Sequence, residues 1–484
     1  MLHPLNFVNT GAIRMAPLLQ RMVAITIRDL LQEGLTMKKT STMSRRGALK
    51  LAAASAALPL VHIRTAGAAG KLNIGFWDHW VPGANDVMQK QVNTWAEKNK
   101  VEVTADFITS SGGKLQLTPA AETQAKAGHD VMTFFTWDVR NYSDSLVPVD
   151  DVMKQLIATS GAVNETCTYL ANKQGSWVAV PTSSGNQTKP PCARISWFKK
   201  NGLDLQAMYP ARDEHNALQD AWTWEAFMKY AELAQKDNMT FALGMGSGLN
   251  TDATDMHGAL FAAYGATLID AQAKSQLKSD NMRQVLEFAQ RLVKFYPADA
   301  VSYDDASNNR ALISGKSALI FNPPSAWAVA KRDNREVAAD CWTFPAPAGP
   351  KGRFLPTLSF YWGVYKFSKN QQAGKELVAF LMERANVEAR CIASEGYDLP
   401  PYEKMLDFNI WNVVEPPKGT VYNYPLRPAS GQKPSLAASE AAPEIAVQIY
   451  QRGVHNQMLA RLRDGKSIAE VIAWAEDEIS GYMR

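Results

Sequence analysis

The sequence of 484 residues is short of the features that mark membrane proteins, nucleic-acid binders and most hydrolases. The apolar run Leu51–Ile63 is too short to span a bilayer and stay there. Cysteine is scarce. The four residues Cys167, Cys192, Cys341 and Cys391 are too few for a disulfide scaffold, and their spacings match no zinc motif. If bridges form in an oxidising compartment, Cys167–Cys192 and Cys341–Cys391 are the expected pairs; buried free thiols are the alternative. Catalytic signatures are also missing. There is no His-Glu-x-x-His, no Gly-x-x-x-x-Gly-Lys-Ser/Thr and no Gly-x-Ser-x-Gly, since Gly244-Met245-Gly246-Ser247-Gly248 has the wrong order. The seven histidines do not cluster. Asp304 and Asp305 are chain neighbours whose side chains point apart, unlike a glycosidase pair. The reading is therefore of a chain that is not an enzyme and has no cofactor and no metal site.

Basic blocks are absent beyond the leader. Residues 1–68 hold nine Lys/Arg and two Asp/Glu, which leaves 42 basic and 45 acidic side chains, a net of −3. Nucleic acid and anionic membrane surfaces are thus not expected partners.

What is present begins with Ser44-Arg45-Arg46-Gly47-Ala48-Leu49-Lys50, then the apolar run, Arg64 and the small residues Ala66-Gly67-Ala68-Ala69. Adjacent arginines, a short apolar core and an A-x-A-like site read as a cleaved twin-arginine export signal. The alternative is a buried helix at 47–62. Residues 1–36 do not look like part of a leader, and Met37 or Met43 is a more natural start. No cysteine follows the apolar core to carry a lipid. A freely diffusing periplasmic monomer starting near Ala69 is the simplest expectation.

The mature part, about 415 residues, suffices for two domains. Alternating apolar residues predict strands at 71–77, 101–108 and 130–135, with helices at 85–98 and 117–127 between them. This order argues for an α/β fold with a mainly parallel sheet. Further strands are expected at 175–181, 193–198, 318–321, 342–344 and 362–367. Further helices are expected at 223–235, 256–264, 281–296, 307–314, 373–383 and 467–482.

Several segments together resemble a known family. They are Ile74-Gly75-Phe76-Trp77-Asp78-His79-Trp80, His129-Asp130-Val131-Met132-Thr133-Phe134, Leu146-Val147-Pro148-Val149-Asp150, Ser176 to Pro181, Trp197 to Leu203, Ala221 to Phe227, Gly315 to Ile320 and Lys369 to Leu381. Their order is similar to that of the extracellular solute-binding proteins of ABC importers, the sugar-binding family that includes maltose-binding proteins. The link Thr182–Pro191, rich in proline at Thr188-Lys189-Pro190-Pro191, and the order Ser325-Ala326-Trp327 depart from its pattern. The resemblance implies a two-lobe periplasmic-binding-protein fold with three interlobe crossings, near 182–191, 322–325 and 367–371, and a hinged ligand cleft. The lobes would be 71–187 plus 324–369 and 188–323 plus 370–484. It also implies a small-molecule solute, a sugar or polyol, and permease subunits of an ABC transporter as partners. A glycerophosphate, a polyamine or an exported enzyme are the alternatives.

A sugar offers apolar C–H faces to aromatic rings and hydroxyl edges to planar polar groups. Trp77, Asp78 and Trp80 fall at the end of the first strand, where open α/β sheets place ligands. Trp137, Asp138 and Arg140 follow the third strand, and the resemblance carries a ligand-contacting acid and base onto the last two. Asn186 lies at the first crossing, beside Ser183, Ser184 and Gly185. Asp255, with Asp252 as the competing choice, is a second-lobe acceptor or a helix cap. Trp327 is the strongest aromatic candidate by resemblance, followed by Tyr361, Trp362 and Tyr397. Trp95, Trp177 and Trp224 are expected in cores.

Overall fold

The computed structural model describes residues 70–208, 217–246, 250–322, 325–408, 410 and 432–483. The export-signal reading lies outside these residues. Apart from a two-residue hairpin pair at Asn172–Lys173 and Ser176–Trp177, the strands, in chain order, are β1 (Lys71–Trp77), β2 (Glu102–Ile108), β3 (Val131–Phe135), β4 (Val180–Thr188), β5 (Pro191–Arg194), β6 (Thr240–Phe241), β7 (Ser317–Phe321), β8 (Cys341–Thr343), β9 (Ala348–Gly349), β10 (Gly352–Val364) and β11 (Gln432–Ser435). The helices used below are α1 (Pro82–Asn99), α2 (Lys114–Ala125), α3 (Asp138–Asn141), α4 (Asp150–Ser160), α5 (Trp224–Lys236), α6 (Thr251–Tyr264), α7 (Asp280–Leu292), α8 (Ser307–Ile313), α9 (Ser325–Asp333), α10 (Gln371–Leu381), α11 (Arg384–Ala393), α12 (Pro443–Arg452), α13 (Val454–Arg463) and α14 (Ile468–Ser480).

Two sheets organise the chain. The first runs β9-β10-β3-β1-β2, with β4 and β11 also paired to β10. Within it β1 lies parallel to β2, from Lys71 opposite Glu102 to Trp77 opposite Ile108, and parallel to β3. Leu72, Ile74 and Phe76 alternate onto one face of β1 and are buried there in a core shared with Met88, Val92 and Trp95 of α1. The second sheet runs β8-β5-β7-β6. Local chemistry sets the helix starts. Pro82 opens α1 with its fixed φ. Thr223 caps α5 and Asn250 caps α6 by accepting from Ala226 and Ala253 amides. Asn250 rather than either nearby aspartate is thus the cap. The expected strand at 193–198 is shorter, because the chain turns into a helix at Ile195–Lys200.

The first crossing lies where β4 of the first sheet runs on into β5 of the second, at Lys189 and Pro190. The other two differ from the expected places. β8 pairs antiparallel with β5, Trp342 opposite Ala193, so residues 325–343 stay with the second sheet. The return to the first sheet follows, at 344–352. Helices α10 and α11 pack on α1 and on strands β10 and β4, so they belong to the first lobe rather than the second. The last passage comes after β11, where α12 touches α3 and α13 packs on α6 and α7. The reason is non-local: a three-residue ladder decides the lobe of some twenty residues.

The four cysteines are buried and free. Neither expected pair is formed. Cys192 on β5 instead neighbours Cys341 on β8, whose thiol, ahead of burial, holds the Cys192 thiol well above its usual range. Among the described residues no helix is long and apolar enough to cross a membrane.

Strands β4 and β10 form the ribbon that links the lobes. Gly185, at φ +84°, sits in it with no room for a side chain, because a Cβ there would lie 2.1 Å from the Phe360 ring. Gly185→Ala is therefore expected to lose about 2–4 kcal/mol, from the left-handed backbone and the overpacking together. The midpoint of urea unfolding against the unaltered protein checks this; an unchanged midpoint would refute the tight packing.

Candidate functional site

The carboxyl ends of β1, β2 and β3 point toward the second sheet, and a pocket lies between. On the first-lobe side it is lined by Trp77 at the end of β1, Trp80, Ser110 after β2, Phe135 at the end of β3, and Tyr397. On the second-lobe side it is lined by Lys189, Thr251 and Asp252 at the start of α6, Asp305, and Asn322 after β7. Gln187, Leu358 and Phe360 of the ribbon form its floor. In this arrangement the walls lie close together: the cavity enclosed between them is about 30 Å³, room for about two water molecules, so a solute enters only as the lobes part. Ligands of open α/β sheets collect at such strand ends.

The aromatic wall is held from behind. The Trp77 ring lies 5.0 Å from Phe360, 5.7 Å from Tyr397 and 4.4 Å from the His79 ring. His79 is buried and approaches Asp398 Oδ1 at 3.0 Å through Nε2. Its Nδ1 accepts from the Val81 amide, so Nε2 carries the proton. Asp398 also accepts from the Gly185 amide at 2.8 Å. The wall and the ribbon are therefore one hydrogen-bonded unit.

The opposite wall is polar and charged. Lys189 is 1% exposed, and Nζ lies 2.8 Å from Asp252 Oδ1, 2.8 Å from Asp255 Oδ2 and 3.1 Å from Thr251 Oγ1. Burial alone would lower its proton affinity; the aspartates Asp252, Asp255 and Asp305 outweigh burial and raise it. Asp255 is raised by desolvation, which Lys189 only partly offsets. Asp305 accepts from Thr251 Oγ1 and from the Asp252 amide. Desolvation first, then the charge of Asp252, push it up to about 7.

The candidates from sequence separate into three groups. Trp77, Trp80 and Tyr397 line the pocket. Asp255 and Asn186 lie just behind it. Asp255 is committed to Lys189 and to the Tyr450 hydroxyl, and Asn186 donates to the Leu399 carbonyl and faces a second cavity beyond the ribbon. The others are placed elsewhere. Asp78 is exposed and accepts from Asn85. Trp137 is buried and donates to the Ala437 carbonyl. Arg140 donates to the Tyr169 and Asn172 carbonyls, so its guanidinium serves the fold. Trp327, the favoured aromatic, is 2% exposed and packs edge-on against Trp342 at 5.1 Å, on the apolar side of α9. Tyr361 and Trp362 are fully buried, one on each face of β10 in a different core, and Trp362 packs on Phe76.

Sequence reasoning did not select Lys189, Gln187, Phe135, Phe360 or Asp305, and it placed Asp252 behind Asp255. One signal pointed to the first: a lysine set between a threonine and two prolines in the crossing has no surface reason to be there. Asp304 and Asp305 do point apart, as read. Asp304 bonds Ser307 and Arg310 at the start of α8, while Asp305 turns to Thr251.

Asp138 is 7% exposed, and Gln451 on α12 bonds one of its oxygens. Desolvation lifts it to about 7, with Gln451 opposing. An acid raised in the folded state binds its proton more tightly there than when unfolded. It therefore costs stability above pH 7, and the cost vanishes as pH falls toward the usual aspartate range. Asp138→Asn should raise the melting temperature at pH 8 and change it little at pH 5, measured by calorimetry at both values. An equal effect at both would refute a buried ionisation there.

The comparisons bear on the whole assembly. No curated protein matches the chain by sequence. Among solved structures, the maltose-bound MalE3 of T. maritima superposes with a TM-score of 0.64 at 16% identity, over 85% of this chain and 99% of that one. A sugar transporter protein of Arthrobacter chlorophenolicus A6 with bound laminaribiose gives 0.65 at 16%, over 85% and 99%. An ABC transporter solute-binding protein of Agrobacterium vitis S4 with bound D-mannitol gives 0.62 at 17%, over 85% and 98%. At these identities the likeness establishes the two-lobe fold. Residues 82–388, more than half of the sequence, match a protein family directly, and the chain belongs to the bacterial extracellular solute-binding proteins.

Proposed function

We propose that this protein is the periplasmic substrate-binding component of an ABC importer, that it captures a carbohydrate or polyol between its lobes, and that it hands the solute to a membrane permease. The observation that carries the reading is the pocket itself: aromatic rings on one lobe face carboxylates on the other across a ribbon hinge. Flat rings suit the C–H face of a sugar, and carboxylate and amide oxygens suit its hydroxyls. The structural neighbours described with maltose, laminaribiose and D-mannitol support the same class. Trp77 and Trp80 would stack on the ligand, with Tyr397 beside them. The protein turns nothing over; it binds and releases.

Binding acts by population shift. A ligand that touches both walls stabilises the closed arrangement, and only that differential contact can move the equilibrium. The closed form then presents both lobes to the permease. The twin-arginine leader would deliver the protein already folded, as a monomer.

A thermal-shift screen of mono- and oligosaccharides and polyols tests the reading. A ligand at ~100-fold excess over its Kd adds roughly 2.7 kcal/mol, a shift of a few degrees. Trp80 is only partly buried, so Trp80→Ala should weaken the hit ligand by about tenfold or more while leaving the free protein's melting temperature nearly unchanged. Unaltered affinity in that variant would remove Trp80 from the site, and a screen with no hit would remove the carbohydrate class.

A further inference from the structure

We infer that the solute is a polyhydroxylated amine, an amino sugar or amino polyol, whose ammonium group meets Asp305 and Asp252 while its carbon frame lies against Trp77 and Trp80. This rests on the reading of the cleft as a solute site and narrows its ligand.

Lys189 is the one base lining the pocket among the described residues. A lysine ammonium has three protons to donate. Those of Lys189 are spent on Asp252 Oδ1, Asp255 Oδ2 and Thr251 Oγ1, at 2.8, 2.8 and 3.1 Å. None is left for a ligand. Among the described lining residues a phosphate or carboxylate entering the cleft would find no free cationic donor, and it would face two aspartates.

The charges do not balance. Lys189 pairs with Asp252 and Asp255, whereas no ion pair reaches Asp305 among the described residues. The donors to Asp305 are a hydroxyl and an amide, both neutral. Lys189, Asp252 and Asp255 together carry one surplus negative charge when ionised, and loss of the Asp305 proton adds a second. Asp305 keeps part of its surface open at the pocket. An ammonium placed there supplies the missing counter-charge; a neutral hydroxyl does not.

A second observation does not depend on the acids. Gln187 is 3% exposed and borders both this pocket and the cavity beyond the ribbon, and its Oε1 has no hydrogen-bond partner. A buried acceptor without a donor is costly, and it calls for an N–H or O–H from whatever fills the space. Acceptors thus dominate the polar side of the cleft. The aromatic side is equally suited, since the faces of Trp77 and Trp80 attract a cation as well as a C–H edge.

Matched pairs of probes decide the question: D-glucosamine against D-glucose, and D-glucamine against D-sorbitol, with glycerol 3-phosphate as the anion. Their Kd values are measured by isothermal titration on the purified protein and on Asp305→Asn. The amine of at least one pair should bind about tenfold or more tightly than its hydroxyl partner, and Asp305→Asn should bring the two members level. Equal affinities, or tighter binding of the neutral member, would overturn the amine assignment while leaving a carbohydrate site in place. Preference for glycerol 3-phosphate would overturn it too. An amine preference that survives Asp305→Asn would overturn the role of Asp305. Silence from every probe would overturn this inference and the carbohydrate reading together.

Discussion

The structure depends on a buried ammonium. Lys189 stands at the point where the chain leaves the first sheet for the second, and its backbone amide donates to the Pro356 carbonyl of β10. Its side chain reaches into the start of α6, so one residue fastens the ribbon to the second lobe. Removing an ammonium from water costs several kcal/mol even after relaxation, and only close carboxylates repay it. That requirement explains why Asp252 and Asp255, separated by three positions on one helix face, both turn inward. It also explains why Thr251 is polar and why the proline-flanked crossing has a lysine at its centre. A pocket wall that is acidic in sum is the consequence.

The segment 432–452 makes the second tie. β11 pairs with the first half of β10, and the Ala437 carbonyl receives the Trp137 indole. Tyr169 donates toward the Ser439 and Ala441 carbonyls. One turn of α12 then bonds both lobes: Gln451 reaches Asp138, and Tyr450 reaches Asp255. These contacts account for the fate of the turn after β3. Trp137, Asp138 and Arg140 have the residue types of a ligand site, but their polar atoms are largely taken by backbone carbonyls and α12.

How much of this was legible follows from the range of the forces involved. The strands at 71–77 and 130–135 and the helices near 82–99, 224–236 and 468–480 follow from local periodicity, and each lies within a few residues of its expected place. The family was legible because its segments recur in order. The division into lobes was not, since it turns on the pairing of Trp342 with Ala193 across nearly 150 residues. The aromatic candidates divide on the same ground. A tryptophan at a strand end and one on a helix look alike in sequence, yet Trp77 borders the pocket while Trp327 fills the space beside Trp342. The charged wall was harder still. Asp252, Asp305 and Lys189 are far apart along the chain, and only the folded crossing brings them together.

The aromatic wall and the hinge share a support, and this bears on how a ligand would be felt. Asp398 accepts from His79 and from the Gly185 amide, and His79 in turn lies under Trp77. A ring or chain that presses on Trp77 therefore loads the histidine, the aspartate and the ribbon in sequence. The ribbon cannot absorb this by local repacking at Gly185, where the Phe360 ring already fills the space a side chain would need. Close-packed groups with fixed hydrogen bonds tend to move together rather than to deform. On the far wall, Lys189 ties the same ribbon to α6. A solute touching both walls thus acts on two ends of one rigid connection, and that is the geometry in which small contacts bias the position of whole lobes.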